Sequence, residues 1–280
     1  VITSDSTTDL SPELRERYNI SVAPLGITLG DKVYTDGVDI TPDDIYAHHA
    51  KTGELPKTTA TNVGDCLDFF KKFTDEGKTV IHFTISSDMS STYNNACIAA
   101  SELENVYVID TKNLSTGGGL LVVAAAEMLR DGLSAEEIVR KSTELIPCVD
   151  ASFVIDSLEY LYKGGRCSAL AMFGANLLKL KPCIQVKNGK MDVSKKYRGK
   201  FEDVLKQYIT EKAEDYSDIV LDRVFITHAG CDPEVAKNAA ELAKKLAPFK
   251  EVFITRAGCT VSSHCGANTL GILFIRKSPI

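Results

Sequence analysis

The chain has 280 residues, with 32 lysines and arginines against 38 aspartates and glutamates, and its formal net charge is -6. It lacks the clustered Lys and Arg side chains that phosphate contacts require, which argues against a nucleic-acid surface. No apolar run approaches the roughly 18–20 residues that span a bilayer, and the first residues lack the pattern of a secretory leader. We therefore expect a cytoplasmic protein with at most transient membrane contact.

The N-terminal half alternates strand-like and helix-like segments. Apolar, β-branched runs predict strands, and Ser, Thr or Asn before helix-forming residues predicts capped helices. In chain order we predict strand 1–3, helix 12–18, strand 21–28 with hairpin partner 32–34, a helix from 42, polar loop 55–62, helix 63–76, strand 79–85, helix 91–104, strand 106–110, an apolar helix after three glycines at 117–119, and a capped helix from 134 to about 146. The alternation predicts an α/β fold whose mostly parallel sheet has helices on both faces.

The second half begins where the sequence changes character, at Ala151. We predict strand 151–155, a helix from 158 to the glycine pair 164–165, a new helix from Ser168, strands 181–186 and 190–197 around an Asn-Gly turn, helix 200–216, strand 224–228, helix 233–246, strand 251–256, an extended segment 261–266 and strand 270–275. At roughly 100–200 residues per domain, the length favours two domains. We place them at 1–150 and 151–280, the second an α/β domain with an antiparallel hairpin.

Serines are concentrated in the loop 86–91, between a predicted strand and a predicted helix. The first turn of a helix leaves N–H groups unpaired and carries the positive end of the helix dipole, so hydroxyls there favour an anion. The loop contains no lysine or arginine, which suits a carboxylate better than a polyphosphate. Thr58 and Thr59 have no obvious capping role, because Thr61 or Asn62 is the natural cap of the next helix.

Other polar features have simpler interpretations. Asp5 is either a site residue at a strand end or, as we favour, a carboxylate that caps a turn. His48 and His49 lack partners at metal-ligand spacing, so we expect surface histidines and no metal or other cofactor. The glycines at 117–119 fit neither phosphate-loop motif and indicate close helix packing or a ligand approach. The eight cysteines are expected to be reduced core residues.

Six motifs occur in order along the chain: VITSDSTTDL at 1–10, PKTT at 56–59, SSDMSSTY at 86–93, YLYKGGRCS at 160–168, KP at 181–182 and HCG at 264–266. In this set and order the chain resembles DegV family proteins over its whole length. The resemblance implies a two-domain DegV-like fold and a bacterial protein that binds a fatty acid with its acyl chain buried. It implies carboxylate contacts from Thr58, Ser90 and His264, with Thr59 and Ser91 as secondary candidates.

The resemblance also implies a partner. Such a protein would present the fatty acid to a separate ATP-binding kinase subunit, which makes the acyl phosphate, and would not itself be an enzyme. In agreement, the chain shows no recognisable phosphate loop for ATP. Arg166 and Arg198 would face the partner or the incoming phosphate, and a solvated basic patch is the alternative interpretation of both.

Physical chemistry favours an acyl ligand for a site without cations. A chain of about sixteen carbons gains on the order of 12 kcal/mol from burial, at about 0.8 kcal/mol per methylene, before an association cost of roughly 4–15 kcal/mol. The acyl chain thus supplies the affinity. The carboxylate then needs only orientation, which hydroxyls, a helix N-terminus and one imidazole can provide.

Two alternatives stay open. A Ser/His acyl hydrolase or transferase would use Ser90 as nucleophile and His264 as base, although no GxSxG motif surrounds Ser90. Cys265 does not replace Ser90, because adjacent residues of an extended segment point to opposite faces. A protein that binds a small polar acid would need a short polar cleft, whereas a fatty acid needs a long apolar tunnel that ends at hydroxyls.

Overall fold

The computed structural model describes residues 1–167 and 180–280. The strands of the first half are β1 (Ile2–Asp5), β2 (Ser21–Ala23), β3 (Gly26–Leu29), β4 (Lys32–Thr35), β5 (Lys57–Thr59), β6 (Val80–Thr84) and β7 (Val106–Asp110), and its helices are α1 (Pro12–Arg17), α2 (Pro42–Thr52), α3 (Val63–Thr74), α4 (Thr92–Ser101), α5 (Thr116–Arg130) and α6 (Ala135–Leu145). The second half contains β8 (Val149–Ile155), α7 (Glu159–Gly164), β9 (Lys181–Lys187), β10 (Lys190–Tyr197), α8 (Phe201–Ala213), β11 (Arg223–Ala229), α9 (Pro233–Leu246), β12 (Glu251–Arg256), α10 (Cys259–Cys265) and β13 (Thr269–Ile275). The helix predicted from Ser168 lies outside the described residues. Within those residues, no helix is long and apolar enough to cross a membrane.

The first sheet is parallel and has the strand order β2-β1-β6-β7. Side chains alternate between its faces, as strand geometry requires. In β6, Val80 packs with Phe70 of α3 on one face, whereas Ile81 joins the cluster that contains Leu121 of α5 on the other. The predicted α/β class, with a parallel sheet between two layers of helices, is confirmed.

Local caps start the helices at the predicted residues. The side chains of Ser11, Thr41, Asn62 and Ser134 each accept a hydrogen bond from the backbone N–H three residues further on. At Thr41 and Ser134 the acid at that position bonds back and completes a capping box. These helix starts were predictable because a cap depends only on neighbouring residues.

Helix α5 joins the two halves, since it contacts β1 and β6 of the first sheet and β8 and β13 of the second. The glycines at 117–119, predicted to precede this helix, lie inside its first turns. A β-carbon on Gly119 would lie 2.9 Å from both Leu10 Cδ2 and the carbonyl oxygen of Thr8. The interpretation of these glycines as close helix packing is therefore confirmed.

The single strand predicted over 21–28 is wrong, because the structure has two strands there. β2 pairs with β1 in the parallel sheet, whereas β3 pairs antiparallel with β4 in a separate three-stranded sheet. Pro24 lies between them and has no backbone N–H to donate to a sheet, which explains the break. The hairpin between β3 and β4 is confirmed.

The polar loop predicted over 55–62 also contains a strand. β5 pairs antiparallel with β3, with Thr58 opposite Ile27 and Thr59 opposite Gly26. A three-residue strand of polar side chains shows no apolar alternation, so its sequence carries no strand signal. The pairing fixes Thr58 and Thr59 to the small sheet.

The second sheet has the strand order β10-β9-β8-β13-β11-β12, and all of its pairs are antiparallel except that of β11 with β12. The predicted hairpin of β9 and β10 around Asn188-Gly189 is confirmed, with positive φ at both turn residues. β8 starts this sheet at Val149. The domain bounds of 1–150 and 151–280 stay a prediction.

The segment 261–266, predicted to be extended, belongs to α10 and its C-terminal cap. Asp36 accepts hydrogen bonds from the backbone N–H groups of Cys259 and Thr260, at 2.8 and 3.2 Å, and so satisfies the start of this helix from a distant part of the chain. Because the support for α10 is not local, its own residues carry no cap signal. The expectation that His264 and Cys265 point to opposite faces is therefore wrong, since adjacent helical side chains are about 100° apart.

Candidate functional site

A cavity of about 420 Å³ lies where β5, the loop before α4, the turn after α7 and helix α10 meet. Its polar lining comes from both halves of the chain: Thr58, Thr59, Ser90, Ser91, Asn95, Arg166, Thr260 and His264. The apolar lining is formed by Leu25, Ala60, Ile85, Met89, Leu114, Met191, Val261 and Cys265. The structure thus brings all five predicted head-group residues to one cavity.

Thr58 and His264 form a hydrogen-bonded pair across 206 residues of sequence. The Oγ1 atom of Thr58 lies 2.9 Å from Nε2 of His264, whereas Nδ1 has no partner among the described residues. Burial, with a smaller contribution from the positive charge of Arg166, lowers the pKa of His264 to about 4. The imidazole is therefore neutral near pH 7.

Ser90 is positioned by the start of α4. Its Oγ accepts a hydrogen bond from the Thr92 backbone N–H at 3.2 Å and lies 2.9 Å from Thr92 Oγ1. Ser91, the residue before the helix, makes no side-chain capping bond. The Ser90 hydroxyl thus lies against the positive end of α4 while lining the cavity.

The two predicted partner-facing arginines differ in position. Arg166 is exposed, lines the cavity and donates from Nη1 to the carbonyl oxygen of Gly164 at 2.8 Å. Arg198 is exposed just after the edge strand β10 and is not among the residues that line the cavity. Of the two, only Arg166 therefore lines the cavity.

An apolar chamber of about 30 Å³ adjoins the cavity. Leu114, Val261 and Cys265 line both spaces and form the boundary between them. Further lining residues are mostly apolar or small: Ser115, Ala151, Phe153, Val186, Thr227, His228, Ala229, Ala257, Thr269, Gly271 and Leu273. The polar cavity is therefore separated by Leu114, Val261 and Cys265 from a small apolar space between α5, α10 and the second sheet.

Asp36 is a site-supporting residue that the sequence did not reveal. Its carboxylate accepts hydrogen bonds from the start of α10 and from Thr260 Oγ1, the latter at 2.7 Å, and from Ser6 Oγ at 2.9 Å. It thereby fixes the helix that carries Val261 and His264 to the cavity. No local pattern could have indicated this, because the partners are more than 200 residues apart in the chain.

For Asp5 the turn-capping interpretation fits the structure. Its carboxylate accepts hydrogen bonds from Thr7 N–H at 3.0 Å, from Thr7 Oγ1 at 2.6 Å and from Ile85 N–H at 2.7 Å. Burial raises the pKa of Asp5 to about 6, and these hydrogen bonds oppose the shift. Asp5 therefore acts structurally, by tying the loop after β6 to the end of β1.

The remaining candidate ligands do not form a metal site. His49 packs against the ring of Tyr160, with ring centroids 4.9 Å apart, and lies 3.7 Å from Glu159. Across residues 1–167 and 180–280 there is no group of three or more His, Cys, Asp or Glu side chains that could hold a metal ion. All eight cysteines lie within the described residues and are free, and seven of them are buried in agreement with the predicted core positions, whereas Cys97 is half-buried.

A model described as "Uncharacterised protein, DegV family" matches residues 1–277. The chain is 32% identical over 285 residues to a DegV domain-containing protein of Caldanaerobacter subterraneus, covering 99% of this chain and 98% of the other. It is 34% identical over 281 residues to a DegV domain-containing protein of Clostridium acetobutylicum, with coverage of 99% and 98%.

Solved structures agree in fold. A DegV family protein from Thermus thermophilus, described by its fatty acid binding, has a TM-score of 0.89 at 28% identity and 99% coverage of both chains. A stearic acid-binding protein from Eubacterium ventriosum has a TM-score of 0.86 at 29% identity, covering 99% of this chain and 98% of that one. DegV from Bacillus subtilis, described as a fatty acid binding protein, has a TM-score of 0.85 at 28% identity and 99% coverage of both chains.

Proposed function

Because the chain belongs to the DegV family, as the match over residues 1–277 shows, we propose that it binds a long-chain fatty acid. The carboxylate lies at the pair of Thr58 and His264 and at Ser90, and the acyl chain lies along the apolar lining of the same cavity, which includes Met89 and Leu114. The observation that carries this proposal is one cavity of about 420 Å³ that combines a group of hydroxyls with an apolar lining and lies next to a small apolar chamber. The three solved relatives described above, each named for binding a fatty acid or stearic acid, support the ligand class.

Two hydroxyls can donate to the carboxylate at once. If the neutral His264 carries its proton on Nε2, it donates to Thr58 Oγ1, which leaves the Thr58 hydroxyl proton for the ligand. The Thr92 backbone N–H likewise donates to Ser90 Oγ and leaves the Ser90 hydroxyl proton for the ligand. A hydroxyl that accepts one hydrogen bond is a stronger donor of the next, so both become better anion ligands without a positive charge.

The hydroxyls of Thr58 and Ser90 bond to the neutral groups of His264 and Thr92. A positive charge that can meet a phosphate must therefore come from another residue of the cavity. In the second step that we propose, the bound acid is presented to a separate ATP-binding kinase subunit, and the exposed Arg166 guanidinium meets the incoming phosphate. Arg198, on the exposed surface after β10, contacts the partner protein itself. Phosphoryl transfer needs a nucleotide site with metal ligands, which we assign to the partner subunit.

The hydrolase alternative fits the geometry less well. Nucleophilic catalysis needs serine and imidazole in hydrogen-bond contact, with a third group that orients the imidazole. Here Ser90 bonds to Thr92, Nε2 of His264 bonds to Thr58, and Nδ1 has no orienting partner among the described residues. A small polar acid has no apolar part that could contact the apolar lining of the cavity or the adjoining chamber.

The ligand can be tested directly. Protein purified from bacteria should release a fatty acid on organic extraction, identified by mass spectrometry. The delipidated protein should bind palmitate or oleate in calorimetric titrations, and Ser90→Ala should weaken binding by about tenfold to a hundredfold, as expected for the loss of one hydrogen bond to a charged group. Ser87→Ala, in the same loop but outside the cavity lining, is the matched control and should bind normally. No acyl chain in repeated preparations, together with no binding after delipidation, would exclude the proposal.

The kinase step has its own test. With an ATP-binding kinase subunit from a DegV-containing bacterium, Arg166→Ala should keep most of its fatty-acid affinity, because the acyl chain supplies most of the binding free energy, and should lose most acyl phosphate formation. Lys163→Ala, on α7 three residues before Arg166 and outside the cavity lining, controls for a general loss of positive charge. Equal turnover by wild type and Arg166→Ala would remove this arginine from the phosphate site.

A further inference from the structure

Two glycines lie at the contact between helices α7 and α10. The ring of His264 packs against Gly164, and the ring of Tyr160 packs against Gly266. A β-carbon on Gly164 would lie 2.5 Å from Nδ1 of His264, and one on Gly266 would lie 2.6 Å from Cδ2 of Tyr160. Real β-carbon contacts essentially never fall below 3.0 Å, so neither position has room for a side chain. The contact is reciprocal, because Tyr160 belongs to the helix of Gly164 and Gly266 caps the helix of His264.

At His264, the contact with Gly164 covers the Nδ1 edge of the imidazole ring. Nε2 is held at 2.9 Å from Thr58 Oγ1, and the opposite nitrogen, Nδ1, faces Gly164 without a hydrogen-bond partner among the described residues. No polar group of these residues therefore fixes the Nδ1 edge. The ring keeps its place against Thr58 because the bare backbone of Gly164 packs against it.

The same glycine also holds Arg166. Its carbonyl oxygen accepts the hydrogen bond from Arg166 Nη1 at 2.8 Å. Between the two, Gly165 has a φ of +69° and turns the chain out of α7. The backbone of Gly164 thus contacts both the imidazole that bonds to Thr58 and the guanidinium that lines the cavity.

We propose that Gly164 is a positioning residue of the head-group site, which holds the His264 imidazole against Thr58 by packing and fixes Arg166 through its carbonyl. The proposal rests on the proposed fatty-acid function for its effect on binding. The packing itself does not depend on any ligand. A side chain at this position would displace the ring and weaken carboxylate binding, although it touches no ligand itself.

Two adjacent glycines give a matched pair of variants. Gly164 has an ordinary φ, so Gly164→Ala meets only the collision with His264, whereas Gly165→Ala meets open space but an unfavourable φ. We expect Gly164→Ala to weaken palmitate or oleate binding by about tenfold to a hundredfold, as for the loss of one hydrogen bond to a charged group. Gly165→Ala should lower the unfolding midpoint and leave affinity unchanged. Wild-type affinity in Gly164→Ala would overturn the proposal.

A double-mutant cycle separates positioning from general damage. Unfolding by urea is measured without fatty acid for wild type, Gly164→Ala, His264→Ala and the double variant. If the collision is with His264, Gly164→Ala should lower the midpoint much less in the His264→Ala background, and a single variant that fails to fold should be rescued there. Equal destabilisation in both backgrounds, or no rescue, would overturn the contact.

Imidazole nitrogen chemical shifts add a readout that a merely structural glycine would not change. In wild type they should show the neutral ring with its proton on Nε2, and in Gly164→Ala the His264 signal should titrate closer to the normal pH range. An unchanged His264 signal in that variant would contradict the proposal. If wild-type protein binds neither palmitate nor oleate, the fatty-acid function fails, while the unfolding cycle still decides whether Gly164 positions His264.

Discussion

Two histidines, the buried His82 and the half-buried His264, each lie within hydrogen-bond distance of a threonine hydroxyl but in different surroundings. Nδ1 of His82 lies 2.9 Å from Thr3 Oγ1, and Nε2 of His264 lies 2.9 Å from Thr58 Oγ1. Burial lowers the pKa of His82 to about 3, and burial followed by the charge of Arg166 lowers that of His264 to about 4. Both rings are neutral near pH 7, so neither hydrogen bonding nor charge distinguishes the core residue from the site residue.

The difference lies in what surrounds each histidine–threonine pair. His82 is paired with Thr3 across adjacent strands and packs against Phe69 and Phe70, with ring centroids 5.9 and 5.1 Å away. His264 adjoins a cavity of about 420 Å³. A histidine–threonine pair therefore becomes a candidate binding element only where the threonine hydroxyl can also reach a ligand.

The largest expected effect separates the two rings by stability. His82→Ala should lower the free energy of unfolding by about 3 kcal/mol, because it leaves a void among aromatic rings and an unpaired Thr3 hydroxyl in the core. His264→Ala should cost only about 1 kcal/mol, because water can enter the enlarged cavity. Urea unfolding of the delipidated proteins at neutral pH measures both.

Fatty-acid affinity should show the opposite order. His264→Ala should weaken binding by about tenfold or more, while folded His82→Ala should bind as wild type does. Similar losses of unfolding free energy in the two variants would show that the neighbouring cavity does not reduce the cost of removing the His264 side chain. The distinction between core and site histidine would then lose its physical basis.

Locally determined features were predictable from the sequence. The caps at Ser11, Thr41, Asn62 and Ser134, the Asn188-Gly189 hairpin and the hydroxyl-rich loop before α4 each depend on a few adjacent residues. The head-group residues Thr58, Ser90 and His264 came from the family resemblance, and their shared cavity agrees with it. Their roles as ligands stay a prediction.

Features that depend on distant partners were missed. β5 is a strand because β3 pairs with it, and α10 is a helix because Asp36 satisfies its first N–H groups from 223 residues away. The role of Gly164 depends on a ring 100 positions further along the chain. No window of sequence contains both members of these pairs, which is why polar segments that bring the site together were predicted as loop or extended chain.

The smaller effect is a pH dependence that isolates His82. In the unfolded chain a histidine has a pKa of about 6.5, whereas the pKa of folded His82 is about 3. As pH falls below about 6.5 the unfolded state takes up a proton that the folded state refuses, so this residue lowers the free energy of unfolding by up to about 1.4 kcal/mol per pH unit. His82→Asn keeps an amide that can meet Thr3 Oγ1 and removes the titration. Relative to this variant, wild type should lose stability with that slope between about pH 6 and about pH 4.5.

The comparison of wild type with His82→Asn is needed because buried acids act in the opposite direction. Burial raises the pKa of Asp5 to about 6 and that of Asp9 to about 8. Their folded forms hold protons that the unfolded chain releases above about pH 4, so both groups lower stability as pH rises through this range. They are present in both proteins and cancel in the difference, as does the titration of His264. Parallel stability curves for wild type and His82→Asn would show that His82 is protonated as readily in the fold as in the unfolded chain, and would contradict the burial that this comparison of two histidines assumes.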